Sequence, residues 1–524
     1  MKALFTLLFS FGAATALAQA PAIQWQKTLG GSLAELGYSV RQTGDGGYIL
    51  AGTSESIDGD VTGNHGDADF WIVKLDNNGT VQWKNSYGGT DYDGLAMLQP
   101  TADGGYVAVG TTASDNGDVS GKRGDSDYWV LKITGTGAVQ WQRCLGGRYD
   151  DIASSIRQTA DHGYIISGQT SSANGDVSGF HGGNFDSWVV KLDSAGTMEW
   201  GKCLGGGNAD GGRDAQQTAD GGYIVASYTT SADGDVSGNH GSYDGWLVKL
   251  DNTGTAGQAP AIEWQKCLGG SSAEDLYSIA QTTDGGYIVA GKTASSDGDV
   301  TMNHGGDDYW ILKLDGMGAI QWQRSFGGTS SEAPRAIRQT TDGGYIVAGY
   351  SSSLDGDVTG HHGTTSKNDF WIVKLSGGGL MQWQKSLGGS NEDAVFSVDQ
   401  TSDGGYVLGG YTYSTDGDLS GSRVNADYWI VKLTAGPAAV SNVSPDAAFS
   451  LYPNPAQNEI FLQSNKGIRA VLMTDLSGKK VAQFSGNNAS EMALPTAGLA
   501  NGTYFVRVET AGGATTQKVL ISRP

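Results

Sequence analysis

Carboxylates on a fixed beat are the first chemistry visible in this chain. Within a recurring phrase of the long loops, Gly-Asp stands seven times, at Asp60, Asp118, Asp176, Asp235, Asp299, Asp357 and Asp418. An Asp or Asn precedes each of these glycines: Asp58, Asn116, Asn174, Asp233, Asp297, Asp355 and Asp416. A third series stands two residues before a tryptophan, at Asp69, Asp127, Asp186, Asp244, Asp308, Asp369 and Asp427. Calcium takes about six to eight oxygen ligands, and Asp-Gly-Asp resembles part of a calcium loop, with glycine permitting the bend. Read that way, calcium is the cofactor and its ligands come from Asp58, Asp60, Asp69, Asp233, Asp235, Asp244, Asp297, Asp299, Asp308, Asp355, Asp357, Asp369, Asp416, Asp418 and Asp427. The alternating EF-hand pattern ending in glutamate is absent, however. Asp and Asn also close turns by accepting hydrogen bonds from nearby backbone N–H groups, which explains the recurrence without a metal. The turn-cap reading is the first expectation and calcium the second.

A fourth acidic series, Glu35, Asp93, Asp151, Asp210, Asp275, Glu332 and Asp393, falls in the connections between repeats. It is expected to ring the mouth of a channel and to form a ligand face. Paired carboxylates also suit glycoside hydrolysis, which needs an acid and a base or nucleophile at a defined separation. Against that, every candidate has copies in the other repeats, whereas a catalytic centre usually joins a few unlike residues. Arg148, His162, Arg213, Pro334 and His361 depart from the repeat. They form no recognisable triad, phosphate loop or metal motif. Five histidines before glycine (His65, His181, His240, His304 and His362) are spread one to a repeat, so they read as loop hydrogen-bonding groups and not as a zinc site. Cys144, Cys203 and Cys267 hold one position in three successive repeats, which argues against a disulfide and for small apolar residues.

The elements that carry these residues follow from the tryptophans. All 14 fall into two series of seven, one through Trp25, Trp83, Trp141, Trp200, Trp264, Trp322 and Trp383, the other through Trp71, Trp129, Trp188, Trp246, Trp310, Trp371 and Trp429. Such a period marks one supersecondary unit copied seven times. Each unit holds four β-like runs. In the first they are Tyr38 to Thr43, Tyr48 to Thr53, Phe70 to Leu75 and Val81 to Asn85, with Gly-rich turns and one long polar loop between them. Four antiparallel strands repeated seven times is the pattern of a seven-bladed β-propeller. The chain enters with an orphan fourth strand at Ile23 to Lys27 and its last repeat stops after a third strand at Leu433. The N-terminal strand is therefore expected to complete the seventh blade and clasp the ring. The tryptophans are expected to pack between blades.

Composition agrees with an all-β chain: 83 glycines and 10 prolines in 524 residues, without a Gly-X-Y period. A net charge of -22 repels phosphate backbones and argues against nucleic acid as a partner. Met1 to Ala18 reads as a secretory signal, with Lys2 before the apolar run Leu4 to Ala16 and the small-x-small site Ala16-Leu17-Ala18. No later segment has the length to span a bilayer. The expected domains are the signal at 1–18, the propeller at 19–435, a small-residue linker at 436–445 and a separate module at 446–524.

That last module holds seven basic and five acidic residues, so the excess acid belongs to the propeller side. It contains Leu451-Tyr452-Pro453-Asn454-Pro455, Asp475-Leu476-Ser477-Gly478-Lys479-Lys480-Val481, Leu499-Ala500-Asn501-Gly502-Thr503-Tyr504-Phe505-Val506-Arg507-Val508 and a terminal Gln517-Lys518-Val519-Leu520-Ile521. With these phrases it resembles the C-terminal sorting domain of cargo for the Bacteroidetes type IX secretion system. The resemblance implies a small Ig-like β-sandwich that docks on the outer-membrane translocon, with Tyr452, Pro453, Asn454, Pro455, Gly478, Lys479, Gly502 and Tyr504 as its motif residues. It also implies release outside the cell or attachment to the cell surface. The function expected is an exported binding protein that takes a glycan or protein partner on its acidic face, with calcium as its one candidate cofactor. The alternatives are an extracellular carbohydrate-active enzyme using channel-mouth carboxylates and a structural surface-layer component.

Overall fold

Short β-branched and aromatic runs between glycine turns fold here into four-stranded antiparallel sheets. The computed structural model describes residues 19–436 apart from 420 and 422–424, and residues 449–521 apart from 453–455, 457–458, 476–478, 497 and 511–512. The signal expected at 1–18 and the linker stretch 437–445 lie outside the described residues. The chain divides into two compact units, 1–436 and 437–524. The described secondary structure is all strand.

The first unit contains seven four-stranded sheets. The first strand of each blade is innermost: Glu35–Gln42, Asp93–Pro100, Asp151–Gln158, Asp210–Gln217, Glu274–Gln281, Glu332–Gln339 and Asp393–Gln400, in blades one to seven. Each touches the corresponding strand of both neighbours, and the last meets the first, so the ring closes around a channel. Closure uses the N-terminal strand. Ile23–Leu29 pairs antiparallel with Asp427–Leu433 and becomes the outermost strand of blade seven.

Packing between blades is aromatic. The seven third-strand tryptophans are wholly buried. Trp71 lies 4.6 Å from the Tyr428 ring of the preceding blade, and Trp188 lies 4.8 Å from Tyr128. The outer tryptophans repeat the device, as where Trp25 meets Tyr48 edge-on at 5.4 Å. Each third strand also buries a lysine. The Lys74 ammonium reaches the Leu75 carbonyl at 3.0 Å and Asp45 at 2.9 Å, fastening the strand to the first-to-second turn. That turn needs a left-handed residue, supplied by Gly46 at φ 81°. In blade three His162 takes the same conformation, at φ 65°, which accounts for one departure from the repeat. The three cysteines are free and buried among the apolar residues of their blades.

The second unit is one sheet, in which Glu459–Asp475 pairs with both Lys480–Pro495 and Gly502–Thr510, and Gly513–Ile521 extends it. Its buried side chains include Ile460, Leu462, Val471, Val506 and Val519.

Candidate functional site

The repeated loop aspartates are anchored by the chain itself. Asp58 accepts a hydrogen bond from the Ser32 amide at 2.7 Å, and Asp233, Asp297, Asp355 and Asp416 accept the equivalent bonds at 2.7–2.8 Å. Asp60 faces the Gly30 amide at 3.3 Å, with the same contact at Asp235, Asp299, Asp357 and Asp418. These bonds tie each long second-to-third loop to the Gly-Gly connection entering its blade. Deeper in the loop, Asp69 accepts from both the backbone amide and the ring of His65, at 2.9 and 2.7 Å. His181, His240, His304 and His362 serve Asp186, Asp244, Asp308 and Asp369 in the same way. Among the described residues no group of three or more His, Cys, Asp and Glu side chains is placed to hold a metal. Addition of millimolar calcium to EDTA-treated protein is expected to leave the melting temperature within about one degree. A saturable rise, of the kind that roughly 2.7 kcal/mol of binding gives at 100 times Kd, would restore the metal reading.

The acidic ring expected at the channel mouth is not a ligand face. Glu35, Asp93, Asp151, Asp210, Glu332 and Asp393 are wholly buried. The first residue of each innermost strand sits beneath the Gly-Gly connection, where Asp93 accepts from the Gly89 amide at 2.7 Å and Ser114 Oγ at 2.9 Å. Asp275 stands one residue out of register with the others. Glu274 holds the buried position in blade five, and Asp275 forms a two-pronged pair with Arg213 at 3.1 and 2.8 Å. The buried carboxylates come in pairs across blade junctions. A Cβ on Gly88 would lie 2.5 Å from Asp69 Oδ1 and 2.7 Å from Asp93 Oδ2, so only glycine fits between the two acids. Burial, reinforced by the partner carboxylate Asp151, pushes Asp127 up to about 6. Asp186 and Asp393 are likewise pushed up to about 6 by burial, with Asp210 and Asp369 adding to the shift.

What sequence reasoning missed is a bulge. In all seven innermost strands the register slips at one place, leaving Tyr38, Ala96, Ser154, Arg213, Tyr277, Arg335 and Phe396 as the extra residues. A bulge re-aims one side chain and is common beside functional sites. The framework residues recur from blade to blade, but these seven differ, and the large ones adjoin. Tyr38 packs edge-on against Phe396 at 5.0 Å. The Arg335 guanidinium lies 4.3 Å from the Tyr277 ring centroid and 5.3 Å from those of Tyr350 and Phe396. Arg213 lies 5.5 Å from Tyr277 and 4.8 Å from Tyr228. The result is a half-buried crescent of rings and guanidiniums from blade four through blade seven to blade one, while blades two and three carry the small residues Ala96 and Ser154 at the same position. Burial raises the Tyr38 and Tyr277 phenols well above their ordinary value, so they stay neutral donors. Beside the crescent, a cleft of about 300 Å³ opens between blades five and six, lined by Tyr277, Lys292, Asp307, Tyr350 and Asn368. Position-by-position comparison of the repeats carries the signal for this site. Arg213 stood out in that comparison, but without the bulge nothing joined it to Tyr277 and Arg335.

In the second unit Tyr504 donates to the Ala500 carbonyl at 3.0 Å. The Lys479 amide donates to Asp475 at 3.0 Å, Tyr452 pairs with Phe461, and Gly502 opens a strand opposite Ile521. Pro453, Asn454, Pro455 and Gly478 lie outside the described residues. Residues 450–522 match the family described as the secretion system C-terminal sorting domain. The chain therefore carries a C-terminal sorting domain of that family. Its sorting domain implies export to the cell surface or the extracellular space, and among the described residues no helix is long and apolar enough to cross a membrane. The chain is 22% identical over 536 residues to the regulatory protein FlaEY of Caulobacter vibrioides, covering 93% of this chain and 55% of that protein. It thus spans just over half the length of the curated relative it matches. Among solved structures, it is similar to PorZ, an essential surface component of the type IX secretion system of Porphyromonas gingivalis, at 11% identity and a TM-score of 0.43, covering 94% of this chain and 59% of that one. It is also similar to the Pan2 WD40 domain of Neurospora crassa, at 10% identity and a TM-score of 0.41, covering 80% of this chain and 98% of that one.

Proposed function

We propose that this exported propeller is a binding protein whose glycan or protein partner is received by the aromatic and arginine crescent at the channel. The observation that carries this reading is the loss of sevenfold likeness at the bulge position, where five of the seven residues are Tyr, Phe or Arg. Aromatic and arginine side chains are the types that dominate binding energy at recognition sites. Binding is favoured over hydrolysis because, of the carboxylates beside the crescent, Glu332 is wholly buried beneath the Gly328 amide, and Asp275 and Asp307 are held in ion pairs, with Arg213 and with Lys292 at 2.9 Å. None is free to act as an acid or a nucleophile.

The test is titration of the full chain against a panel of bacterial, plant and animal polysaccharides and extracellular matrix proteins. At least one is expected to bind, and Tyr350→Ala is expected to weaken it about tenfold, the usual cost of truncating a central aromatic contact. Release of reducing sugar would favour the carbohydrate-active enzyme instead. Binding untouched by Tyr350→Ala would place the ligand elsewhere.

A further inference from the structure

The innermost strands are rich in arginine. Beyond the buried acid that opens each one, the seven innermost strands carry Arg41, Arg157, Arg213, Arg335 and Arg338 against Asp214, Asp275 and Asp399. Past the opening acids that is an excess of arginine, in a chain of net charge -22. A cation buried away from water is costly unless something compensates it. Arg157 and Arg213 have their aspartates, at 2.7 and 2.8 Å. Among the described residues Arg335 has no carboxylate within 4 Å, its side chain makes one hydrogen bond, from Nη2 to the Tyr350 hydroxyl at 2.8 Å, and its buried Nε–H has no acceptor.

Three rings surround that guanidinium, and two of them, Tyr277 and Tyr350, also line the neighbouring cleft. A guanidinium offers a planar fork of donors that matches a carboxylate, and flanking aromatic faces suit the C–H faces of a pyranose ring. Resting on the binding reading above, we infer that the crescent takes an acidic glycan, with a uronate carboxylate on Arg335 and its sugar ring against Tyr277 and Tyr350. The acidic outer loops would oppose a long polyanion lying across the face. A short stretch or chain end entering the channel mouth meets Arg335 instead, so terminal uronates are the preferred form.

The experiment is calorimetric titration of the full chain with oligomers of galacturonate, alginate and hyaluronate, each beside its carboxyl-reduced neutral form. At least one acidic oligomer is expected to bind at least tenfold more tightly than its reduced partner, with affinity falling as salt rises. Arg335→Gln is expected to cost about tenfold or more on the acidic form and several-fold less on the reduced form, while Arg335→Lys recovers part of the loss. Unchanged tryptophan emission and melting temperature show that the variants are folded. Equal binding of acidic and reduced forms, or no effect of Arg335→Gln, overturns the acidic-glycan assignment and leaves the binding reading standing. Binding of poly-glutamate with no oligosaccharide bound makes the partner a protein and also overturns it. Failure of every oligomer here overturns it too. Failure of the broader panel above as well removes the binding reading with it.

Discussion

Acidification from pH 8 to about pH 5 is expected to stabilise the propeller, the reverse of ordinary acid denaturation. Three carboxyls, Asp127, Asp186 and Asp393, are pushed up to about 6 by burial and by the acid facing each across a blade junction. Unfolded, each would titrate near 3.9. A carboxyl whose folded pKa is raised holds its proton more tightly in the native state. Its favourable contribution is complete below the unfolded pKa and is lost as pH rises through the folded one. At about 1.4 kcal/mol per pH unit, each of these groups costs the fold roughly 3 kcal/mol once ionised, less where the two members of a pair share one proton. The opposite limb comes from the turn aspartates. Asp45, Asp103 and Asp161 sit at about 2, because hydrogen bonds to threonine and to a buried lysine outweigh the effect of partial burial. Their contribution is present above the ordinary pKa and is lost as pH falls toward 2. Stability should therefore peak near pH 4–5. All 14 tryptophans lie between residues 25 and 429, so their emission reports on the propeller alone. Melting followed by that signal should rise by several degrees between pH 8 and pH 5. Asp127→Asn should raise the pH 8 value and flatten the profile. A melting temperature that falls steadily below pH 7 would show that the junction carboxylates are ionised and compensated by something other than a proton.

How far the sequence could be read depended on what repeats. Seven copies of a strand–turn phrase defined the blades, and the tryptophans on third and fourth strands could only be inter-blade residues, which is where Trp71 and Trp25 lie. The orphan strand at the start of the chain announced the closure. Repetition also misled. Asp58 and Glu35 recur because every blade needs its Gly-Gly connection capped from two sides, and recurrence alone does not separate a cap from a ligand. The acidic ring is expected at the channel mouth because its residues fall in the connections between repeats. The connection folds back over it instead, and Glu35 is fully covered. The crescent was hidden for a different reason. Its residues come from strands up to 358 positions apart, Tyr38 and Phe396 at the extremes, and a one-residue bulge turns them toward one another. Strand periodicity predicts alternate faces and carries no mark of that bulge.

Removal of residues 19–29 is expected to be the most damaging small deletion in the chain. Ile23–Leu29 supplies the outer strand of blade seven, with Lys27 opposite Ile430 and Thr28 opposite Trp429. Gln26 accepts a hydrogen bond from the Trp429 indole at 2.8 Å, and Thr434 donates to the Ala22 carbonyl at 2.9 Å. Trp25 meanwhile packs on Tyr48 of blade one, so the strand joins the last blade to the first. At roughly 1 kcal/mol for each main-chain bond, with the lost burial of Trp25 and Leu29 added, the deletion costs on the order of 10 kcal/mol. That is comparable with the whole stability of a typical domain. It also bares Asp427–Leu433, an entirely buried strand, as a flat apolar edge open to pairing with other chains. The shortened protein should be insoluble, or should melt more than about ten degrees lower and without cooperativity. A synthetic peptide covering Ala20 to Leu29 should restore soluble, cooperative folding when present during refolding, because the vacant edge accepts one strand in one register. A propeller that melts within about two degrees of the full chain after the deletion would show that blade interfaces alone close the ring.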